Sequence, residues 1–598
     1  MNKGKKLQQE NNVEPIDAVI GTGKISPRQY SVIRDFDVYA PVSDGVNINL
    51  DVFRPSGNEK YPALISISPY NKEAQYARVW PRAMGSSMVR GQSDASLEAG
   101  PTEFLVRRGY VHIIASTRGT GKSEGTYRFM DLREIQDIHD LVEWAAKQPW
   151  CNGQVGMMGT SYYAWSQQRA AVLQPPHLKA ICPFYSSTDL YRDLWYHGGI
   201  LKLRFLNMLL STGALCINSE ASVTLEELGE EGYRKAIAQA LLDKDLMADP
   251  GFAATLTNPD MPGNAAKLDV LLHPTDGPYW QERRLVDYDK ITIPAYLGCC
   301  WGMYELHLPA AFRSWENLQI PKKLVIGPPI YLDRPVHQYS WEMLRWYDYW
   351  LKGIDTGIMD EPPVKVFIIG ANEWKIADDW PIPGTKWIPF NLHSGGILSE
   401  MEPWPDASPS SYEDSPAKRG SLVYCTPALV ENTEVIGPIA LNLYASCRSN
   451  DINFCISLWD VDQQGNETII TRGWLKGSHR EIDPAKSKPW RPFHTHKDPK
   501  PLVPGEIYKF AIEIIPTACL FKAGHKICLK IKGVIDEEPK TTLQFVHAPH
   551  ISRQARDIIT VYQDADHPSH ILLPITKGNV VGTFISGGDL SLHEPKFD

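Results

Sequence analysis

The chain has 598 residues, a net charge of −9, 43% hydrophobic residues and 22% charged residues. A soluble chain of this length exceeds the size of one hydrophobic core, so we expect two or three structural units. The composition is that of a globular protein without a strongly basic balance, so neither nucleic acid nor an anionic membrane is an expected partner.

The N-terminal stretch MNKGKKLQQENN is polar and carries lysines, so we interpret residues 1–29 as an extension before the first domain. It lacks the apolar centre of a signal peptide, and the sequence contains no run of about 18 apolar residues. We therefore expect a cytoplasmic protein. The ten cysteines are scattered, mostly in apolar runs, which favours reduced, buried thiols over disulfides or a metal site.

From residue 30 to residue 195, short β-like runs alternate with turns and helical stretches. The runs NINLDVFRP, YPALISISPY, VHIIAS and VGMMGTS are typical of strands, and EIQDIHDLVEWAAKQ is typical of a helix between the last two. Alternation of this kind predicts an α/β unit whose sheet is mostly parallel and covered by helices.

Residues 196–285 change character, because LKLRFLNMLLSTGALCI and YRKAIAQALLDKDLM have helical apolar spacing and no convincing strand is present. We expect a helical insertion there, forming a cap. The strands IPAYLGCCW and KKLVIGPP, followed by a helix WEMLRWYDYWLK that ends at Gly353, then complete the core over residues 286–361.

From residue 362 to residue 598, the sequence predicts β-strands and no helix. Strand-like runs such as VKVFIIG, IALNLYASC, INFCISLWDV and IYKFAIEIIP are separated by Pro, Gly, Asn and Asp turns. Many short strands at this spacing predict a β-sandwich, with a jelly roll as the expected topology.

The sequence GMMGTSYYA places Ser161 between a β-like run and a helix-like run. A serine on such a strained strand-to-helix turn needs small neighbours, which Gly159 and Ala164 supply. The turn would raise the serine hydroxyl above the sheet, and the N–H of Tyr162 could stabilise an oxyanion. A serine that merely caps a helix would give the same local pattern, so that alternative stays open.

Motifs on both sides of Ser161 give the chain a wider resemblance over residues 33–585. They are SPY at 68–70, RGTGKSEG at 118–125, QPWCNG at 148–153, RGWL at 472–475 and RPFH at 491–494. Together they resemble the family of cocaine esterase, X-prolyl dipeptidyl-peptidase and α-amino acid ester hydrolase.

The resemblance implies an α/β-hydrolase core, an inserted helical cap and a C-terminal jelly roll. It also implies acyl transfer through a serine ester of Ser161 on a small-molecule ester or amide, with no cofactor and no metal. Tyr70 matches the tyrosine whose hydroxyl stabilises the oxyanion in this family. A homo-oligomer is compatible with the sequence, which does not fix the oligomeric state.

The sequence departs from the family at two positions of the catalytic triad. The family's acid follows a tryptophan, and after Trp301 the matching residue here is Met303. The family's histidine base follows Gly-Pro-Trp, and the matching residue here is Tyr331. A thioether carries no charge and a phenol is a poor base at neutral pH, so neither replaces its counterpart.

Nearby residues offer replacements for the missing acid and base. Glu305 lies two residues beyond the acid position, and His337 lies six beyond the base position, so they could complete a triad with Ser161. His307 and His197 are further histidines that could approach the serine. For each histidine, an ordinary hydrogen-bonded wall position remains the alternative.

Three hypotheses therefore remain. The first is a serine hydrolase that cleaves or transfers an acyl group, with Ser161, Tyr70 and the Tyr162 amide at the reacting centre. The second is a non-hydrolytic enzyme on the same fold, carrying out an acyl-transfer, cyclisation or lyase step. The third is a catalytically silent protein that binds a small molecule.

Overall fold

The computed structural model describes residues 24–75, 98–211, 215–329, 340–535 and 550–578. Those before residue 24 include most of the predicted N-terminal extension, which therefore lies outside the described part of the chain.

The first part of the core alternates strands with helices, as predicted. Its strands are β1 (Val32–Pro41), β2 (Asn47–Pro55), β3 (Tyr61–Ser68), β4 (Val111–Ser116), β5 (Cys151–Met157) and β6 (Leu178–Ile181). Its helices are α1 (Lys72–Gln75), α2 (Thr102–Val106), α3 (Leu132–Ala146) and α4 (Tyr162–Val172). The apolar periodicity that predicted a helix before the fifth strand corresponds to α3, whose side chain at Ile138 is fully buried.

The predicted cap follows a single π-helical turn, Tyr191–Trp195. Its helices are α5 (Leu203–Ser211), α6 (Val223–Ala240), α7 (Lys244–Met247), α8 (Pro250–Thr257), α9 (Ala265–Leu271) and α10 (Pro278–Glu282). It also contains a small hairpin of β7 (Tyr196–His197) and β8 (Ile200–Leu201), where the sequence predicted no strand. Strands of two residues are too short to show an alternating pattern, so periodicity could not reveal them.

The chain then returns to the core. This part contains β9 (Ala295–Cys300), α11 (Leu308–Asn317), β10 (Lys322–Gly327), α12 (Ser340–Lys352), β11 (Val364–Ile368) and β12 (Glu373–Ala377). Gly353, at φ +67°, follows the last residue of α12, as predicted.

In the described part of the chain, ten strands form the core sheet in the order β1-β2-β4-β3-β5-β6-β9-β10-β11-β12. In this order, neighbouring strands from β4 to β11 pair in parallel. At the two edges of the sheet, β1 with β2, β2 with β4, and β11 with β12 pair antiparallel. The prediction of a mostly parallel sheet is confirmed. β11, which follows the boundary predicted at residue 362, pairs with β10 in the core sheet, and the boundary itself stays a prediction.

The C-terminal domain is all-β, as predicted. Its strands are β13 (Lys386–His393), β14 (Ile397–Ser399), β15 (Ser410–Ser415), β16 (Lys418–Arg419), β17 (Ser421–Cys425), β18 (Thr433–Ser446), β19 (Asn453–Val461), β20 (Glu467–Lys476), β21 (Tyr508–Phe521), β22 (Lys526–Lys532), β23 (Asp557–Tyr562) and β24 (His570–Lys577). They surround a separate apolar core that includes Phe390, Leu441 and Ile512. The jelly-roll topology stays a prediction.

One cysteine prediction is wrong. Cys425 and Cys528 face each other across β17 and β22 and form a disulfide, because strand pairing brings their Cα atoms to 4.1 Å. The other eight cysteines form no disulfide. Among the described residues, no helix combines the length and the apolar character needed to cross a membrane.

Candidate active site

Ser161 lies on the sharp turn between β5 and α4. Its backbone has φ 60° and ψ −120°, a conformation that is strained for a residue with a side chain. Ala164, one turn into the helix, is fully buried. The strand, turn and helix therefore have the geometry expected of a nucleophile elbow, with a half-buried serine above the carboxyl end of the sheet.

Gly159 is required by this turn. It has φ +115°, and a Cβ atom placed there would lie 2.5 Å from the Cβ of Tyr163 and 3.0 Å from the carbonyl oxygen of Glu98. The same carbonyl accepts a hydrogen bond from the Thr160 amide at 2.8 Å. The segment at Glu98 thus packs against the turn and accepts a hydrogen bond from it. The sequence did not predict this contact.

Tyr70 is placed beside Ser161 by the sheet. It follows β3, which pairs in parallel with β5, so both residues lie beyond the carboxyl ends of neighbouring strands. The Tyr70 and Ser161 side chains approach each other there. Burial and the carboxylate of Glu98 raise the pKa of Tyr70 well above its ordinary value, while the contact with Ser161 acts in the opposite direction. Tyr70 therefore keeps its proton and can donate it in a hydrogen bond.

The amide of Tyr162 begins α4 next to Ser161. The following amides turn back into the helix, with Ala164 and Trp165 donating to the Ser161 carbonyl at 2.9 and 3.0 Å. The first amides of a helix have no partner within the helix, and the described residues supply no acceptor to that of Tyr162. It is therefore suited, together with the Tyr70 hydroxyl, to bind a developing negative charge.

The side chain of Tyr162 points into a buried polar cluster that the sequence did not reveal. Its hydroxyl donates to Oε2 of Glu134 at 2.8 Å and lies 3.1 Å from the hydroxyl of Tyr127. Burial raises the pKa of Glu134 well above its ordinary value. The spacing of Asp131 and Glu134 is that of an ordinary helix capping box, which would place Glu134 at the surface, and only tertiary packing buries it.

The loop after β9 contains the position of the family's acid. Met303 is fully buried there. The carboxylate of Glu305 lies 2.7 Å from the guanidinium of Arg472 and 3.4 Å from the ammonium of Lys202. Glu305 therefore joins the core to β20 and to the cap, a role that the sequence did not predict. Its predicted role as the acid stays a prediction.

His307 follows in the same loop, immediately before α11. Its Nδ1 lies 3.2 Å from the carbonyl oxygen of Ser186, and its Nε2 has no hydrogen-bond partner among the described residues. Burial lowers the pKa of His307 to about 3, so the ring is neutral at pH 7. Because Nδ1–H donates to the carbonyl in this tautomer, Nε2 carries the lone pair that a general base needs.

The sheet brings the anchor of His307 close to the nucleophile. Phe184 pairs with Thr160 on one side and with Gly298 on the other, so the segment that follows β6 runs beside the elbow. Ser186 lies two residues further along this segment. The ring of Tyr185 contacts that of His307 edge-on, with centroids 6.0 Å apart.

Of the other two predicted histidines, the structure describes only His197. His337 and Tyr331 lie outside the described residues. His197 lies at the junction of cap and β-domain, where its Nδ1 is 2.7 Å from Nε2 of His550 and its Nε2 is 3.0 Å from the Asp193 carbonyl. Both nitrogens of His197 thus have partners, which matches the wall position that was its alternative.

The described residues contain no group of three or more His, Cys, Asp or Glu side chains arranged to hold a metal ion. Nδ1 of His479 and Nδ1 of His496 are 3.0 Å apart, but these rings pack at the junction of the cap with the β-domain.

Two family models match the chain in succession. Residues 44–330 match the X-Pro dipeptidyl-peptidase (S15 family), and residues 356–572 match the X-Pro dipeptidyl-peptidase C-terminal non-catalytic domain. Among curated proteins, the cocaine esterase of a Rhodococcus species is 26% identical over 92% of this chain and 99% of its own length.

Solved structures share the fold. A CocE/NonD family hydrolase of Staphylococcus aureus has a TM-score of 0.75 and 24% identity, covering 91% of this chain and 94% of its own. An α-amino acid ester hydrolase has a TM-score of 0.71 and 18% identity, covering 94% of this chain and all of its own. The expected resemblance is thus confirmed over both domains.

Proposed function

Because the chain belongs to the X-Pro dipeptidyl-peptidase (S15) family, we propose that it is a hydrolase of ester or amide bonds in small molecules, with Ser161 as its nucleophile. The observation that carries the proposal is the strained elbow, which holds the Ser161 side chain beside that of Tyr70. Such a turn has a conformational cost, and a reactive serine gives a reason for its presence.

In the proposed reaction, Oγ of Ser161 attacks the substrate carbonyl carbon and its proton passes to a histidine. The carbonyl oxygen becomes an oxyanion that accepts hydrogen bonds from the Tyr70 hydroxyl and the Tyr162 amide. The bond to the alcohol or amine then breaks, and that group takes the proton from the imidazolium. Water hydrolyses the resulting acyl-serine by the same steps, which releases the acid and restores Ser161.

We assign the base to His307. Its Nδ1 is held by the Ser186 carbonyl, so a backbone acceptor fixes the tautomer as a carboxylate does in an ordinary triad. This arrangement does not require an acid at the position of Met303. The depressed pKa makes His307 a weak base, so the proposal expects slower turnover than a complete triad gives. His337 is the second candidate.

The helical cap would close the substrate site from above in this proposal. The strands of the C-terminal domain favour a jelly-roll topology. This domain would support the loop after β9 through the ion pair of Arg472 with Glu305. Substrate recognition would then fall to side chains of the core and the cap.

The test is hydrolysis of a panel of p-nitrophenyl esters and aminoacyl p-nitroanilides. We expect measurable kcat/KM for at least one substrate and its loss in Ser161→Ala. Ser166→Ala is the matched control, because Ser166 lies in the same helix, is fully buried and donates to the Tyr163 carbonyl at 2.8 Å. Turnover that persists in Ser161→Ala would overturn the proposal.

A further inference from the structure

A cavity of about 540 Å³ lies between the cap and the C-terminal domain, and we call it the junction cavity. The cap contributes α6, α7, the end of α9 and the β7–β8 hairpin, while β19, β20 and Ile551 line the other side. This volume is typical of cavities that hold small organic ligands. Ser161, Tyr70 and His307 are not among its lining residues, so it is separate from the candidate active site.

Much of the wall of the junction cavity is aliphatic. Its larger apolar side chains are Ile200, Leu201, Leu246, Leu271, Leu272 and Ile551. Ala236 and Ala240 line it from α6, where their small side chains leave space. An occupant with an apolar body would remove this wall from water, which is favourable.

Two carboxylates of the cap line the same cavity. Oδ1 of Asp243 accepts from the amides of Asp245 and Leu246 at 2.8 and 3.2 Å, and Oδ1 of Asp245 accepts from the Gln554 amide at 2.7 Å. Among the described residues, neither Oδ2 atom has a hydrogen-bond donor and neither carboxylate has an ion-pair partner. Burial and the charge of Asp243 raise the pKa of Asp245, so the two carboxylates are close enough to repel each other.

The positive charge at the cavity is smaller. Lys476 is the one lysine or arginine among the described lining residues, and its ammonium lies 3.9 Å from Oδ2 of Asp451, outside the lining. Lys476 and Arg553 lower the pKa of Asp245, but neither forms an ion pair with it. Two carboxylates therefore face one ammonium that has a partner elsewhere, and the cavity has an excess of negative charge.

His479 adds a polar group without adding charge. Its side chain lines the cavity, and the residue is only 6% exposed. Its Nδ1 lies 3.0 Å from Nδ1 of His496, which is not a lining residue, and Nε2 on the other side of the ring has no hydrogen-bond partner in the described part of the chain. Burial lowers the pKa of His479 to about 3, so the ring is neutral at pH 7 and does not repel a cation.

We propose that the junction cavity binds a small organic cation, with a primary or secondary ammonium group on a compact aliphatic body. The ammonium would donate to Oδ2 of Asp243 and Oδ2 of Asp245, and it has enough N–H groups to satisfy both. The body would pack against the aliphatic wall. The ligand would then contact the cap and the C-terminal domain at once.

Calorimetry on the intact protein tests this with compounds that share a ring and differ in charge. Cyclohexylmethylamine is a cation at pH 7, as lysine is, whereas cyclohexylmethanol is neutral and cyclohexanecarboxylate is an anion. We expect the amine to bind about tenfold or more tightly than the alcohol, the effect of a charged hydrogen bond, and the anion to bind most weakly. Methylamine has the charge without the ring and should also bind weakly. Equal or tighter binding of the alcohol would overturn the proposal, as would no binding of the amine at millimolar concentration.

Variants locate the bound amine. Asp243→Asn and Asp245→Asn keep the Oδ1 acceptor and remove the charge, so we expect each to weaken amine binding several-fold without unfolding the cap. Asp249→Asn is the matched control, because Asp249 caps α8 in the same way, with Oδ1 accepting from the Phe252 amide at 2.9 Å, and does not line the cavity. Amine binding unchanged in both test variants would contradict the assignment.

The active site is the other place where the amine could bind, and kinetics distinguishes the two. An amine at Ser161 would inhibit ester hydrolysis competitively, with equal strength in the parent, Asp243→Asn and Asp245→Asn; that result would overturn the proposal. Two separate sites predict that Ser161→Ala loses hydrolysis and binds the amine as the parent does. A parent protein that binds the amine and hydrolyses no ester or amide would refute the catalytic proposal and leave the junction cavity as a ligand site.

Discussion

Oε1 of Glu305 lies 2.7 Å from Nη1 of Arg472, and both side chains are buried. The pair links the loop after β9 to β20 of the C-terminal domain, and Lys202 adds a contact from the cap. One carboxylate thus joins three parts of the molecule. Removing one member of a buried ion pair leaves the other charge uncompensated, which is more costly than losing a surface pair.

Glu305→Gln is expected to lower the free energy of unfolding by about 3 kcal/mol or more. If His307 is oriented by the Ser186 carbonyl, kcat at 25 °C should fall less than tenfold, because no carboxylate acid is required. Denaturant unfolding and ester kinetics measure the two effects. Glu481→Gln is the control, since this carboxylate pairs with Lys500 at an exposed position and its loss should change the free energy of unfolding little.

A loss of about 10⁴ in kcat for Glu305→Gln, the size seen when a triad acid loses its charge, would contradict this expectation. Glu305 would then be the catalytic acid, which is the role predicted for it from the sequence.

Tyr70→Phe is expected to lower kcat about 100-fold with little change in KM. The hydroxyl contacts Ser161 and would donate to the oxyanion, which exists only along the reaction path, so the ground-state complex should lose little. Steady-state kinetics on the best ester would measure it. Tyr39→Phe, at an exposed position on β1, should behave as the parent; an unchanged kcat in Tyr70→Phe would remove Tyr70 from the oxyanion site.

Gly159→Ala should both destabilise the protein and abolish activity. The new Cβ would meet Tyr163 at 2.5 Å, and alanine at φ +115° adds a backbone cost of about 1–3 kcal/mol. Thermal unfolding and kcat/KM would report the two effects. Gly277→Ala is the matched control, because φ is −108° there and the nearest atom to the new Cβ is 4.0 Å away. Parent-like values for Gly159→Ala would mean that the turn relaxes freely.

The pH profile separates the two candidate bases. The neutral ring of His307 is the active form, and its pKa of about 3 keeps it neutral until strongly acidic pH. We therefore expect kcat/KM to stay level as pH falls from 8 to about 4 and to decline below that. A decline centred between about pH 6 and 7 would indicate a histidine of ordinary pKa, such as His337. His307→Gln should remove activity in the first case and spare it in the second.

Much of this architecture could be predicted from sequence, because its signals are local. Alternating strands and helices predicted the core, helical periodicity predicted the cap, and the run GMMGTSYYA predicted the elbow at Ser161. The resemblance to the family added Tyr70, which follows the neighbouring strand β3. The pairing of β11 with β10 could not be predicted, since nothing in VKVFIIG distinguishes that partner from a strand of the C-terminal domain. The pairing of Cys425 with Cys528 depends in the same way on strand register.

The rest of the site depends on contacts between distant segments. Glu134 occupies an ordinary capping position, and only the packing of α3 against α4 directs it to Tyr162. The anchoring of His307 by Ser186 involves a backbone carbonyl, which any residue type provides. Neither contact leaves a pattern in the sequence, whereas the altered acid and base positions, Met303 and Tyr331, follow from the resemblance to the family.

The central claim is that Ser161 is an activated nucleophile. The most direct measurement is reaction of the intact protein with a fluorophosphonate, followed by peptide mass spectrometry to locate the adduct. We predict one adduct on Ser161, no labelling of Ser161→Ala, and slower labelling of Tyr70→Phe. Hydrolysis of an ester with no adduct on Ser161 would contradict the claim, as would a folded protein that neither labels nor hydrolyses any ester or amide.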